Sequence, residues 1–302
     1  MECEETHSKF HSGFVAILGK PNVGKSSLVN ALLKQKVAAV TPRPQTTRKR
    51  QLGILTLENA QIIFIDTPGV HKSKHKLGVS MNQHALETMQ ECDLILFLVD
   101  ASSLPDDEDR ILASAIQQLS HPMQTILVLN KIDRLNTQHI ATNQAEYQEL
   151  VPQANPVAIS ATRGDHLDML LGKIIQALPE GPAYFPSGQV TDLYEREIAA
   201  DLIREAALLV LREEVPHGIA IRIDQYIERN EHGAFIEATI FVERESHKGI
   251  VIGDGGQMLK QIGASARKEI EAMTGRKVYL QLRVKLRKNW RNDEKVLRRF
   301  GY

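Results

Sequence analysis

Gly19-Lys20-Pro21-Asn22-Val23-Gly24-Lys25-Ser26 spaces two glycines, a lysine and a hydroxyl as G-x-x-x-x-G-K-S. A chain bent at both glycines turns its N–H groups inward, forming a nest for a polyphosphate with a helix start beneath it. Lys25 then reaches the β- and γ-phosphates, and the Ser26 hydroxyl offers a ligand to Mg²⁺. At ordinary residue frequencies, chance gives such a match in about 1% of chains this long. The apolar run Phe14–Leu18 ahead of it and the helical spacing of Ser26–Lys34 behind it supply the strand–loop–helix setting that the motif requires.

Two further clusters close apolar runs. Asp66-Thr67-Pro68-Gly69 follows Ile62–Ile65. A carboxylate there holds Mg²⁺, usually through a water, and the Gly69 N–H can approach a γ-phosphate and act as a hinge. Asn130-Lys131-Ile132-Asp133 follows Ile126–Leu129. A carboxylate at Asp133 accepts two parallel hydrogen bonds from guanine N1–H and its 2-amino group. Adenine offers neither, and a buried group left unpaired costs roughly 1–3 kcal/mol, more when charged. Asn130 braces the base and neighbouring loops, the Lys131 stem packs along the base, and Ser160-Ala161 places the Ala161 amide to donate to guanine O6.

These residues need a scaffold that brings several strand ends together. Phe14–Leu18, Ile62–Ile65, Leu94–Val99, Ile126–Leu129 and Pro156–Ile159 are short apolar runs separated by helical stretches such as Leu77–Met89 and Glu108–Leu119. That alternation predicts an α/β fold, a mostly parallel sheet with helices on both faces. It fades after Leu178, and Pro179, Gly181, Pro182, Pro186 and Gly188 mark a boundary. The remainder reads α-β-β-α-α-β, an α+β domain. It has an amphipathic helix over Asp192–Arg212 and alternating strands at Ile219–Ile223, Ile236–Val242 and Val278–Leu286. The division expected is residues 1–180, a linker at 181–190, and 191–302.

With 302 residues, 42% of them hydrophobic and 25% charged, the chain has material for two cores and is neither disordered nor fibrous. Cys3 and Cys92 exclude a disulfide framework, and no apolar run reaches the roughly 18 residues needed to span a bilayer. The expectation is a cytoplasmic, soluble protein. Lysine plus arginine equals aspartate plus glutamate at 37 each, but residues 276–302 carry ten cations against Asp293 and Glu294. Such asymmetry is itself a partner signal, read either as a surface that attracts a nucleic-acid backbone or as a solvated basic face.

Gly19–Ser26, Thr46/Thr47, Asp66–Gly69, Asn130–Asp133 and Ile159–Ala161, in this order, resemble the five motifs of a small P-loop GTPase domain, and Thr41–Arg48 resembles switch I of the TrmE–Era branch. The resemblance implies GTP and GDP as ligands contacted by residues 19–26, 66–70, 130–133 and 160–161. It implies Mg²⁺ held by Ser26, Asp66 and either Thr46 or Thr47. Lys25, the switch threonine and Gly69 would act on the γ-phosphate. Val70 stands where Ras-like proteins carry a water-orienting glutamine, so backbone, another residue or a partner must place the water, and intrinsic turnover is slow. In this branch an asparagine at the position of Asn22 either recruits K⁺ or pins the loop.

Val251-Ile252-Gly253-Asp254-Gly255-Gly256 within the α-β-β-α-α-β order resembles the G-x-x-G loop of a type II KH domain, which clamps about four nucleotides of single-stranded RNA. Met258, Ile262, Ile250 and Ile252 would form an apolar floor, with Lys260, Arg283, Lys285, Arg287 and Lys288 meeting phosphates. Asp254 departs from the cation often found between such glycines. Trp290, Phe300 and Tyr302 either stack bases or cap a core.

A G domain of this branch followed by a type II KH domain is the architecture of the Era family of bacterial GTPases. That family implies a monomer that binds 16S rRNA near its 3′ end, acts in assembly of the 30S subunit and associates peripherally with the cytoplasmic face of the inner membrane. The expected function is a GTPase whose nucleotide state controls RNA binding. The alternatives are an RNA-binding module with a GDP-locked G domain and a small-molecule kinase; the latter is disfavoured because Asn130–Asp133 is committed to base reading.

Overall fold

A computed structural model describes residues 9–44, 46–69, 75–119, 121, 123–135, 137–230 and 233–302. The chain forms two units. The first gathers Met1–Gln35, Arg50–His71 and Gln83–Asp192, and the second gathers Lys36–Lys49, Lys72–Asn82 and Leu193–Tyr302.

In the first unit β1 (His11–Leu18) leads through the glycine loop into α1 (Lys25–Leu33), followed by β2 (Gln51–Thr56) and β3 (Ala60–Asp66). The chain continues with α2 (Lys76–Thr88, begun in the second unit), β4 (Leu94–Asp100), α3 (Asp107–Gln117), β5 (Thr125–Asn130), α4 (Thr137–Leu150), β6 (Asn155–Ala158) and α5 (Leu167–Ala177). The sheet order is β2-β3-β1-β4-β5-β6, parallel except for β2 against β3. Both faces of the central strands are covered, which is why Leu94–Val99 and Ile126–Leu129 are unbroken apolar runs of buried residues. The ends of β1, β3 and β5 feed the three motifs, so the sheet brings together segments that lie far apart in sequence. β2 escaped the sequence reading because it is an antiparallel edge strand interrupted by Gly53.

The stretch expected as a linker is bound along this unit. Gly181 N–H donates to Phe10 O at 3.0 Å, Ile54 N–H to Val190 O at 2.9 Å, and the Tyr184 and Phe185 amides to Gln61 Oε1 at 2.7 and 2.9 Å. An edge strand such as β2 leaves backbone groups needing partners, and residues 181–192 supply them. The division therefore falls at Asp192/Leu193, two residues beyond the expected 190/191 boundary, and the second unit also claims residues 36–49 and 72–82. Long-range packing of that kind leaves no local periodicity to read.

In the second unit α6 (Glu195–Val210) precedes β7 (Ala220–Asn230), β8 (Gly233–Val242), α7 (Glu245–Ile252), α8 (Gln257–Thr274), β9 (Lys277–Leu286) and α9 (Glu294–Arg299). The sheet runs β7-β8-β9, antiparallel then parallel. One face packs Ile236, Ile240 and Val242 against Ile203 of α6 and Ile262 and Ile270 of α8. At one end of the other face, Ala220 and Phe241 meet Trp290, Val296, Leu297 and Phe300, together with Leu77 and Met81 from the start of α2.

Candidate nucleotide and RNA sites

The glycine loop is closely packed at both of its glycines. Gly24 caps α1 at φ 103°, a left-handed conformation that suits glycine, and a Cβ there would lie 2.4 Å from the Asn130 amide nitrogen. At Gly19 a Cβ would strike Leu98 O at 2.3 Å. The Lys25 ammonium folds back onto Gly19 O at 2.9 Å and Lys20 O at 3.0 Å. Burial lowers its pKa to about 8, with the Asp66 charge pulling the other way.

Ser26 Oγ donates to Asp66 Oδ2 at 2.7 Å. A hydroxyl beside a carboxylate is the hard-oxygen pair that Mg²⁺ takes, with waters and phosphates completing its octahedron. The two side chains present therefore fit that ion. Thr67 Oγ1 donates to Ile17 O at 2.9 Å and is buried, so it ties β3's exit to β1. Pro68 follows Thr67, and a Cβ on Gly69 would lie 2.7 Å from Pro21 N, which places the glycine expected to act as a hinge directly against the loop. Val70 lies outside the described residues.

Asn130 joins three motifs. Its Nδ2 donates to Val23 O at 2.8 Å, and its Oδ1 accepts from the Ala161 amide at 3.0 Å. The Ala161 N–H, expected to face guanine O6, is directed at Asn130 instead, because the buried carboxamide oxygen needs a donor. Asp133 Oδ1 accepts from Ser160 Oγ at 2.6 Å, which fixes the carboxylate expected to read the base. Ile132, half-buried, packs against the apolar core of the sheet and holds that turn.

Two acidic anchors went unnoticed in the sequence. Lys131, at φ 67°, donates from Nζ to Asn22 O at 2.7 Å and to Asp100 Oδ2 at 2.6 Å, so the end of β4 secures both the base-reading turn and the phosphate loop. Although burial opposes ionisation, Lys131 and Ser102 hold the Asp100 carboxyl below its ordinary value. Lys20 is likewise bound by Asp106 at 2.7 Å and Asp109 at 2.8 Å. Asp106 caps α3 and Asp109 completes its capping box, which is the one signal that could have revealed the pair.

With the geometry in place, the chain was compared with known proteins. Residues 14–131 match the family model described as "50S ribosome-binding GTPase", and residues 214–291 match the KH domain model. The chain is 44% identical to GTPase Era of Heliobacterium modesticaldum over 97% of this chain and 98% of that protein. It is equally identical to GTPase Era of Halothermothrix orenii, over 97% and 99%. The chain belongs to the Era family of GTPases.

Two solved Era structures share its whole fold. One, in complex with MgGDPNP and nucleotides 1506–1542 of 16S ribosomal RNA, gives a TM-score of 0.92 at 42% identity, covering 97% of this chain and 99% of that one. The other, a tyrosine-to-alanine variant of Aquifex aeolicus Era bound to GDP·AlF4⁻, gives 0.91 at 42% identity and the same coverage. The family reading of a P-loop GTPase domain followed by a KH domain holds.

In this Era-family chain the switch threonines belong to the second unit. Thr46 Oγ1 shares a 2.7 Å hydrogen bond with Thr41 Oγ1 and donates to Arg43 O at 2.9 Å, while its carbonyl accepts from Arg204. Thr47 adjoins it, half-buried. Next to them the Arg48 guanidinium lies 5.6 Å from the Trp290 ring centroid and donates to Ile219 O at 2.7 Å and His217 O at 3.1 Å.

The G-x-x-G loop divides its labour. Gly253, at φ 73°, is packed by its own chain: a Cβ would lie 2.6 Å from Met258 Cβ. Gly255 and Gly256, at φ 54° and 82°, have nothing within 4 Å of where a Cβ would stand and present open backbone. The expected exclusion of Cβ by RNA therefore does not account for Gly253. Asp254 and Lys260 are exposed on either side of that backbone. Of the expected apolar floor, Ile250 is exposed, Met258 and Ile252 are half-buried, and Ile262 is committed to the core. Trp290 is fully buried with Nε1 donating to Gly218 O at 2.9 Å, and Phe300 is buried beside it, so these aromatics cap the core. Arg283, Lys285, Arg287 and Lys288 are exposed, although Arg283 also pairs with Glu237 at 2.8 Å.

Proposed function

We propose that this protein is an Mg²⁺-dependent GTPase that binds the 3′ region of 16S rRNA through Gly253–Gly256 and its basic surroundings during 30S subunit assembly, with the nucleotide state controlling RNA binding. The observation that carries the nucleotide half is the convergence of Ser26 at the start of α1 with Asp66, Asn130 and Asp133 at the ends of β3 and β5, with Asn130 bonded to both the phosphate loop and the Ser160-Ala161 turn. The RNA half is supported by the open left-handed backbone at Gly255 and Gly256, and by the likeness to an Era bound to a 16S fragment.

Coupling is supported by where the switch stretches pack. Residues 36–49 and 72–82, which a γ-phosphate would order from Thr46 or Thr47 and from Gly69, group with the unit that carries the G-x-x-G loop. A ligand shifts an equilibrium only by contacts that differ between its states, and the γ-phosphate is the contact GDP lacks. We assign the residue contacts to GTP, GDP and Mg²⁺ as set out above, with a water placed by some group other than Val70.

Three finer features complete the reading: K⁺ recruited through Asn22, peripheral association with the inner membrane, and a monomeric state. Among the described residues no helix is long and apolar enough to cross a membrane, so such association would be at the surface. Equal hydrolysis in KCl and NaCl would remove the K⁺ role. The test of the whole is crosslinking to purified small subunits in the presence of a GTP analogue. The native chain should crosslink near the 16S 3′ end, and Gly256→Asp should not. Crosslinking indifferent to GTP, GDP and no nucleotide would point instead to a passive RNA-binding module.

A further inference from the structure

The two faces of the β7-β8-β9 sheet differ in character. The helices α6 and α8 cover one, and the G-x-x-G loop joins α7 to α8 on that side. On the other, strand register sets Ile227, Phe235 and Tyr279 in one cross-strand row, then Gln225, Glu237 and Gln281, then Thr239 beside Arg283, and then Phe241 beside Lys285. Trp290 and Phe300 close the Phe241 end. The opposite end is open, and Tyr279 there is 67% exposed and Ile227 48%.

The open end has the makings of a stacking platform. The Phe235 and Tyr279 rings lie 5.7 Å apart and nearly parallel, at 16°, and the Arg229 guanidinium sits 5.4 Å from the Phe235 centroid. Alternation along β9 exposes Lys277, Tyr279, Gln281, Arg283 and Lys285 in succession on this face. Among the described residues of this face, the acid set against Arg229, Lys277, Arg283 and Lys285 is Glu237, which is 8% exposed and pairs with Arg283 at 2.8 Å. Asp224 is neutralised within its own strand by Arg222 at 2.6 Å. An exposed tyrosine stacked on a half-buried phenylalanine and flanked by cations suits a flexible polyanion with flat apolar groups, which is single-stranded nucleic acid.

We propose that this face is a second contact for single-stranded RNA, on the far side of the sheet from Gly253–Gly256, where bases stack on Tyr279 and Phe235 and Lys277, Arg283 and Lys285 hold phosphates. The proposal rests on the RNA-binding reading above and extends it to a longer strand. A short RNA fills the G-x-x-G cleft alone, whereas a longer one also engages the sheet.

The experiment measures affinity of the full chain for single-stranded RNAs of about five and about twelve nucleotides, taken from the 3′ end of 16S rRNA. Tyr279→Ala should weaken the longer RNA by roughly five- to a hundred-fold, the range expected for one lost stacked base. It should leave the shorter RNA unchanged, and Tyr279→Phe should restore most of the loss. Gly256→Asp should weaken both. Tyr279 is exposed, so the fold tolerates these changes, and thermal unfolding checks that directly. Equal affinity of native and Tyr279→Ala chains for the longer RNA overturns the proposal while leaving the cleft in place. Failure of either RNA to bind the native chain overturns the RNA reading and the proposal with it. Loss of small-subunit association by Tyr279→Ala, with free-RNA affinity unchanged, assigns the face to a protein partner and also overturns it.

Discussion

Ser26 Oγ and Asp66 Oδ2 stand 2.7 Å apart, joining the first residue after the phosphate loop's lysine to the last residue of β3. β1, which leads into the phosphate loop and α1, is adjacent and parallel to β3, with Ile17 opposite Asp66. An Mg²⁺ ion arriving with a triphosphate would exchange this hydrogen bond for coordination. Asp66→Asn should therefore cut GTP hydrolysis at saturating Mg²⁺ by roughly a hundred-fold or more, as expected for the loss of several kcal/mol of charge stabilisation. GDP binding in EDTA should be nearly unchanged. Single-turnover rates across an Mg²⁺ series check this, and native-like hydrolysis by Asp66→Asn would remove the carboxylate from the metal site.

Lys25 gives a pH signature. Its pKa is about 8 in the free protein because burial disfavours the charge. A bound triphosphate stabilises that charge and raises the pKa. The sign follows: affinity is greatest where the free lysine is already protonated, and it falls as pH rises through about 8, by up to tenfold per unit until the raised pKa is reached. GTP titrations between pH 6.5 and 9.5 should show this decline, with proton uptake on binding near pH 8 visible in buffers of different ionisation enthalpy. A flat profile with Lys25→Arg and native chains alike would remove the assignment.

Asp133 is held by Ser160 at 2.6 Å, in a pose fixed before any base arrives. Asp133→Asn replaces an acceptor with a donor, so xanthine nucleotides should gain on guanine nucleotides by about tenfold or more. Competition between GTP and XTP measures it; unchanged preference for guanine would show that another group reads the base.

Asp100 anchors Lys131, and both side chains are 17% exposed. Asp100→Ala should speed nucleotide release by roughly tenfold, because Lys131 then loses the charge that holds it against Asn22 O. Fluorescent-nucleotide dissociation rates test this, and an unchanged rate would make Asp100 a bystander.

Trp290 is fully buried against Phe300 and beneath Arg48. Trp290→Ala should cost about 3–5 kcal/mol through cavity formation and an unpaired Gly218 carbonyl. Reversible denaturation followed by circular dichroism should show the second unit unfolding early. A chain of native stability that has lost only RNA affinity would return Trp290 to the role of a base-stacking residue.

The motifs were legible because each needs particular residue types at fixed spacing beside a strand, and the parallel sheet was legible because strands buried on both faces are continuous apolar runs. Pairings across long separations were not. Nothing local in Lys36–Lys49 says that Arg48 lies over Trp290, or in residues 181–192 that they complete the edge of β2. Asp100 and Asp109 likewise look like ordinary loop and helix-start acids until the fold delivers Lys131 and Lys20 to them. The tail aromatics stayed open to two readings for a related reason: cations and aromatics alternate there as a nucleic-acid surface would, but Trp290 and Phe300 turn inward while Tyr279 turns out.

The most direct test is the affinity of the native chain for its 16S fragment in the presence of Mg²⁺ with a non-hydrolysable GTP analogue and, separately, with GDP. Coupling of the usual size predicts RNA binding roughly five- to a hundred-fold tighter in the GTP-analogue state, with the reciprocal gain in analogue affinity when RNA is bound. Equal RNA affinities in the two states would contradict nucleotide control of RNA binding.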